Sequence, residues 1–417
     1  MGKFKSEFLQ TVEERGFIHQ ISHPEPLDAR LCEGPITGYI GFDCTADSLH
    51  VGSLVQIMLL YWLQQTGNRP IALMGSGTTR IGDPSGKDEM RKMLTDETIE
   101  SNKSCIQRSF AKLLKFGDGE TDAILADNAD WLLDLKLVDF LRSYGRHFSI
   151  NEMIKRDSVQ TRLEREQHMS LLEFNYSVFQ AYDFYELNNR YGCQLQMGGS
   201  DQWGNIISGV DFGRRVSDSD YFAVTTPLIT TSSGAKMGKT AAGAVWLNPD
   251  RLSAYDYWQF WRNTEDADVG RFMRLFTAMP LDEITRIEKL DGSEINEAKI
   301  LLATTATAMM HSREAAEQAE ATARATFAEG ALDLSLPTVE IPALDLSAGI
   351  GLLSAYVTAG LAGSNGEARR HAKSGALRVN DNVAQDERAT LSNADLLPEG
   401  VIKLSVGKKR HVLIKPV

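Results

Sequence analysis

The chain has 417 residues, enough for two or three domains that each bury a core without help from disulfides or metals. Its net charge of −12 excludes a protein that coats nucleic acid indiscriminately, because phosphate contacts need clustered Lys and Arg. Four scattered cysteines, Cys32, Cys44, Cys105 and Cys193, form no C-x-x-C pair, which argues against a disulfide framework or a zinc site and for a reducing compartment.

In chain order, MGKFKSEFLQTVEERGF lacks the apolar centre of a secretory signal. The longest apolar stretch, near Leu54 to Leu63, is too short to span a bilayer, so a cytoplasmic location away from membranes is expected. Short apolar runs then alternate with helical patterns: ITGYIGF, SLVQIMLLYWLQQTG, PIALMGSG, a charged helix near 96 to 116, DAILAD and DLKLVDFLRSYG. Such alternation predicts βαβ units, an α/β fold with a Rossmann-like parallel sheet, over residues 1–245. Strands ending in Gly, Ser and Asp just before a helix put functional residues at the carboxyl edge of that sheet. From 246 to 330 the periodicity is helical throughout and predicts a helical domain. Residues 331–350, with two prolines and no helical period, read as an extended linker. The module 351–417 follows. From 349 onward ten basic residues face six acidic ones, a net of +4 that leaves −16 for the rest. A basic end on an acidic body suggests a local polyanion-binding module, with a solvated charged tail as the alternative.

The glycine-rich stretch from Gly75 to Lys87 is neither common nucleotide motif. A P-loop needs Gly at 81 and Ser or Thr at 88, which are Ile81 and Asp88, and the third glycine of a dinucleotide fingerprint is Arg80. Two other segments stand out: Tyr39-Ile-Gly41-Phe-Asp43-Cys-Thr45 running to His50-Val-Gly52-Ser53 at a strand-to-helix turn, and Gly234-Ala-Lys236-Met-Gly-Lys239-Thr240 in a loop. These two segments resemble the ATP signatures of class I aminoacyl-tRNA synthetases, and that resemblance implies that His50 at a helix start helps hold a triphosphate, Gly52 leaves room for adenine, and the two lysines follow charge onto a departing pyrophosphate. In mid-chain, Tyr176, Gln180 and Asp183 at i, i+4 and i+7 share one helix face. A bland amphipathic helix would be apolar there; Gln and Asp beside a buried Tyr fit a small polar ligand better.

The first of the two ATP segments resembles the His-x-Gly-His element and the second the Lys-Met-Ser-Lys-Ser loop. Glu173 to Asp183, followed by Gly198-Gly-Ser-Asp201-Gln202-Trp-Gly-Asn205, resembles the tyrosine-binding helix and following segment of bacterial tyrosyl-tRNA synthetases. Residues 359–370 and 375–380 resemble the S4 type of RNA-binding domain, so the whole chain is covered. The resemblance implies a tyrosine–tRNA ligase reaction with L-tyrosine, ATP and tRNA(Tyr) as substrates, Mg2+ on the nucleotide, no protein-held metal, and a homodimer joined near Phe140 to Phe148. It also implies roles. Tyr39 and Asp183 would bind the phenol hydroxyl; Asp83, Tyr176 and Gln180 the ammonium; and Gln202 would lie near the carboxylate. Asp43, Gly52, Ser53, Gly198, Gly199 and Asp201 would hold the nucleotide. Thr45, His50, Lys236, Lys239 and Thr240 would stabilise the phosphates, with Lys87 and Arg91 as further candidates. Arg369, Arg370, Lys373 and Arg378 would contact tRNA.

Three departures from the pattern are visible: Ser53 in place of a second His, Gly238 and Thr240 in place of two serines, and Ile40 where some relatives have Cys. A tryptophan-specific relative, a non-catalytic RNA-binding protein and another nucleotidylyltransferase remain as rivals. Tyr39 with Asp183, the intact lysines, and the basic tail stand against them respectively.

Overall fold

The computed structural model describes residues 4–85, 93–234, 237–240, 243–290, 292, 294–328, 336–384, 386–397, 400–407 and 410–417. The chain divides into two compact units, Met1–Ala319 and Glu320–Val417.

The first unit is built on six strands: β1 (Gln20–Ile21), β2 (Thr37–Asp43), β3 (Arg69–Gly75), β4 (Ile124–Asp127), β5 (Cys193–Gly199) and β6 (Phe222–Thr226). Their spatial order is β1-β6-β5-β2-β3-β4, and every pair is parallel except β1 with β6. The expected parallel sheet is therefore present, with a short antiparallel edge. β3 reads RPIALMG, a continuous apolar run that is buried from Pro70 on, as a central parallel strand covered on both faces must be. The connections from β2 run toward β3 and β4 on one side, while β5 and β6 lie on the other. The crevice of such a sheet opens at the carboxyl ends of the two strands where the order reverses, here β2 and β5.

Local sequence fixes the elements that carry side chains into that crevice. His50, in extended conformation, caps the helix Val51–Gln65, whose first turn lies directly beyond β2. The helix Tyr176–Tyr191 stops at Gly192, which takes the left-handed φ of +63° that a glycine accepts without steric cost. A capping box between Ser170 and Glu173 starts the short helix before it, and Glu173 is tied to the equally buried Arg162 at 2.9 Å. Helices of the run 246–330, among them Ala254–Arg262, Glu294–Met310 and Arg313–Ala328, follow the sheet. No helix among the described residues is long and apolar enough to cross a membrane.

In the second unit Leu377–Val379, Asn382–Val383, Ile402–Val406 and Arg410–Pro416 form an antiparallel sheet, backed by the helices Leu352–Thr358 and Asn365–Lys373. The expectation of an extended linker at 331–350 needs correction over 336–350, residues 331–335 lying outside the described residues. Thr338–Ile341 is the edge strand of this sheet, parallel to Arg410–Pro416, and Ala343–Ala348 is helical. Ile341 and Leu346 are buried in the unit's core. The prolines sit just before this strand and just after it, positions at which their missing N–H is no loss to the ladder.

Candidate active site

At the carboxyl ends of β2 and β5 the structure opens a cleft of about 540 Å³. Its lining includes Tyr39, Asp43, Thr45, His50, Gly52, Ser53, Asp83, Tyr176, Gln180, Asp183, Gly198, Gly199, Asp201 and Gln202. Residues spread over more than 160 positions of sequence are thus brought to one cavity. Ile40 lines it as well, with no donor to offer there.

One wall is made by the predicted helix face. Asp183 is 2% exposed, and its carboxylate accepts from Asn128 Nδ2 (2.9 Å) and Trp131 Nε1 (2.7 Å). Burial pushes its carboxyl up to about 8, against the opposing pull of those two donors. Tyr39, also fully buried, faces across from β2; burial and the neighbouring Asp183 hold its phenol well above the usual range. Among the described residues its hydroxyl has no hydrogen-bond partner, and neither have Gln180 Oε1 and Gln196 Oε1. Buried polar atoms are rarely left so, and three that line one cleft mark a place for a polar ligand.

A second polar group lies towards the opening. Gln202 Nε2 donates to Asp83 Oδ2 (2.8 Å), Ser85 N donates to Asp83 Oδ1 (2.9 Å), and Tyr176 Oη reaches Asp43 Oδ2 (3.3 Å). Glycines keep the backbone open here. A Cβ on Gly199 would lie 2.5 Å from Asp201 Oδ1, and one on Gly75 would lie 2.4 Å from Asp43 Oδ1. The lysine loop closes one side, where Met237 lines the cleft and Gly238 takes φ +81°. A Cβ at Gly238 would stand 2.9 Å from the backbone nitrogen of Gly52, so glycine in place of the signature serine lets the loop lie on the helix start. Lys236, Lys87 and Arg91 fall outside the described residues, and of Lys239 and Thr240 only the backbone, in the strand Lys239–Thr240, is described. Among the described residues no cluster of three His, Cys, Asp or Glu could hold a metal ion.

The family described as tRNA synthetases class I (W and Y) matches residues 31–328, and that described as the tyrosine–tRNA ligase SYY-like C-terminal domain matches residues 333–414. A tyrosine–tRNA ligase of Bradyrhizobium diazoefficiens is 62% identical over 416 residues, covering 100% of each chain. The chain belongs to the tyrosine–tRNA ligases. A further member, from Methylocella silvestris, is 62% identical over 413 residues, 99% of this chain and 98% of that one. Among solved structures, the C-terminally truncated mitochondrial tyrosyl-tRNA synthetase of Aspergillus nidulans superposes with a TM-score of 0.70 at 31% identity, covering 78% of this chain and 95% of that one.

As a tyrosine–tRNA ligase, the chain is an enzyme whose substrates are tyrosine, ATP and tRNA. Sequence reasoning missed several residues of its cleft. Asn128 is the junction of a buried chain: its Nδ2 donates to Asp183 and to Thr78 Oγ1 (3.0 Å), and Thr78 Oγ1 donates to Asp43 Oδ1 (2.8 Å). One wall of the cleft is thereby connected to the other. Gln196 carried a usable signal, since a glutamine amid the apolar residues of a mostly buried strand needs a polar reason to be there. The helix near Phe140 to Phe148, expected to join a homodimer, carries both buried and exposed apolar side chains. Phe140 packs inward, stacked on Phe179 (5.7 Å) and edge-on to Tyr182 (5.2 Å), while Leu137, Val138 and Leu141 of the same helix are exposed.

Proposed function

We propose that this cleft adenylates L-tyrosine, with the amino acid's phenol at the Tyr39–Asp183 end and the triphosphate at the His50 end. The unpartnered hydroxyl of Tyr39, which lines one cleft with the buried Asp183 carboxyl, is the observation that carries this reading. A phenol hydroxyl entering there gives the Tyr39 hydroxyl a partner and can add a third donor to Asp183, whereas a phenyl ring would leave the Tyr39 hydroxyl buried and unpaired. Asp83, Tyr176 and Gln180 take the ammonium group, and Gln202, held by Asp83, lies by the carboxylate. The tyrosine carboxylate oxygen attacks the α-phosphorus of ATP and pyrophosphate leaves. The terminal ribose hydroxyl of tRNA(Tyr) then attacks the carbonyl carbon and AMP leaves.

Positioning and charge stabilisation carry most of such a phosphoryl transfer, so no general base is assigned. Asp43, Gly52, Ser53, Gly198, Gly199 and Asp201 seat the adenosine, and Thr45, His50, Lys236, Lys239 and Thr240 stabilise the phosphates as pyrophosphate forms. Mg2+ would enter with the nucleotide, where it would offset the charge on its phosphates.

In the second unit Arg369, Arg370 and Lys373 are exposed on one helix, and Arg378 donates to the Asp381 carbonyl (3.0 Å) beside it. These four are assigned to the tRNA backbone in an S4-like module that begins at 336, after a catalytic region to about 245 and a helical domain beyond it. A cytoplasmic homodimer is proposed on the exposed Leu137, Val138, Leu141, Ile150 and Leu171, apolar area that a monomer gains nothing by showing.

ATP–pyrophosphate exchange by the purified chain tests the reading. L-tyrosine supports exchange, L-phenylalanine and L-tryptophan do not, and Lys239→Ala loses about 100-fold or more of the rate. Exchange equally driven by phenylalanine would refute the assignment of the phenol end.

A further inference from the structure

A short antiparallel pairing joins the His50 signature to the segment that returns from the lysine loop. Leu247 N donates to Leu49 O and Val51 N to Val245 O, each at 2.9 Å, with His50 opposite Trp246. The same returning segment holds the lysine loop, since Val245 N donates to Gly238 O at 3.0 Å. At the outer end of the pairing stands Asn248, which is 4% exposed and does not line the cleft.

Every polar atom of the Asn248 side chain is used. Its Nδ2 donates to the carbonyls of Asp47 and Cys105, both at 3.1 Å, and its Oδ1 accepts from Ser109 Oγ at 2.8 Å. Its backbone N–H donates to Ser48 Oγ at 3.1 Å. The amide orientation follows from this network, because a flipped group would set its oxygen against two carbonyl oxygens. Three elements meet at one amide: the segment 47–50 that delivers His50, the strand returning from the lysine loop, and the helix Asp96–Phe110 that carries Cys105 and Ser109.

We infer that Asn248 is a positioning residue for adenylate formation, fixing His50 and the start of the helix Val51–Gln65 at the height set by the lysine loop. Packing alone would be served by an apolar side chain of the same volume. Linking the carbonyls of Asp47 and Cys105 requires two amide protons from a single short side chain, and that ties to the helix Asp96–Phe110 a turn held besides by its backbone pairing and by Arg251 on the Asp47 carboxylate (2.8 Å). Tyrosine binds at the other end of the cleft, on residues that Asn248 does not touch, so the effect falls on the phosphate end. The inference rests on the phosphate role proposed for His50.

The test uses the full-length chain and measures single-turnover tyrosyl-adenylate formation beside equilibrium tyrosine binding, for Asn248→Ala, His50→Ala and the double variant. Asn248→Ala is expected to slow adenylate formation roughly 10- to 100-fold while tyrosine affinity stays within about twofold of the parent. The double variant should be no slower than His50→Ala, because a group that acts through another has nothing left to act on. Ser48→Ala, which removes only the hydroxyl at the Asn248 N–H, should show a smaller loss of the same pattern and serves if Asn248→Ala does not fold. A parental rate for Asn248→Ala, a parallel fall in tyrosine affinity, or additive losses in the double variant would each overturn the inference. A parental rate for His50→Ala would instead overturn the phosphate role of His50 on which it rests.

Discussion

Asp183 is held between opposing influences. Burial raises its carboxyl to about 8, while Asn128 and Trp131 both donate to it and favour the ionised form. A carboxyl that titrates near 4 in the unfolded chain and near 8 in the folded one binds more protons when folded across that interval. The stability it contributes is fully present below about 4 and is lost as the pH rises towards about 8. Asp183→Asn removes this titration. Measured by thermal melts from pH 5 to pH 8, the melting temperature of the variant relative to the parent should therefore climb with pH, whatever constant offset its amide introduces. A flat difference would mean that Asp183 is already ionised throughout. The same variant should lose tyrosine-driven exchange, which would make Asp183 a group that costs stability for function. How far this wall can be read from sequence differs from residue to residue. Tyr176, Gln180 and Asp183 announce themselves by helical spacing, because three residues on one face need no tertiary information. Asn128 and Trp131 do not, since their partner lies more than 50 positions away and nothing in NADWL points towards it.

At the scale of elements, the lysine loop and the His50 turn behave as one piece, and Gly238 is the hinge of their contact. Its φ of +81° disfavours any side chain, and a Cβ would meet the Gly52 nitrogen at 2.9 Å. Gly238→Ala should cost roughly 1–2 kcal/mol of conformational energy in the seated loop and so lift the loop off the helix start. The expected result is slower adenylate formation with tyrosine binding unchanged; a parental rate would mean that the seated loop is not the working one. The parallel sheet was readable because apolar runs and helical periods alternate through β2, β3 and β4, although the spatial order of the strands was not. The edge strand Thr338–Ile341 was not. Its partner Arg410–Pro416 lies some 70 residues further on, and the alternation of Thr338-Val-Glu-Ile341 is too short, between two prolines, to tell an edge strand from a linker.

Over the whole molecule the charge is divided, with an acidic body and a basic end. Adenylation needs only groups of the first unit, since every residue lining the cleft falls within Met1–Ala319. A chain ended after residue 328 keeps the match to the catalytic family, and the Aspergillus nidulans structure, itself C-terminally truncated, covers 78% of this chain. The shortened chain should therefore retain tyrosine-dependent pyrophosphate exchange and lose charging of tRNA(Tyr). Within the intact protein, Arg369, Arg370 and Lys373 stand exposed on the helix Asn365–Lys373, with Arg369 only loosely engaged by Glu387 at 3.6 Å. Each phosphate contact releases condensed counterions, so tRNA affinity should fall with salt, and each of Arg369→Ala, Arg370→Ala and Lys373→Ala should reduce the slope of log affinity against log salt by about 1 or a little less. Exchange, which uses no tRNA, should be untouched by all three. Slopes equal to the parent's would place the tRNA elsewhere and leave the basic end as a solvated tail, whereas a loss of exchange in the truncated chain would show that the first unit depends on the second for its fold.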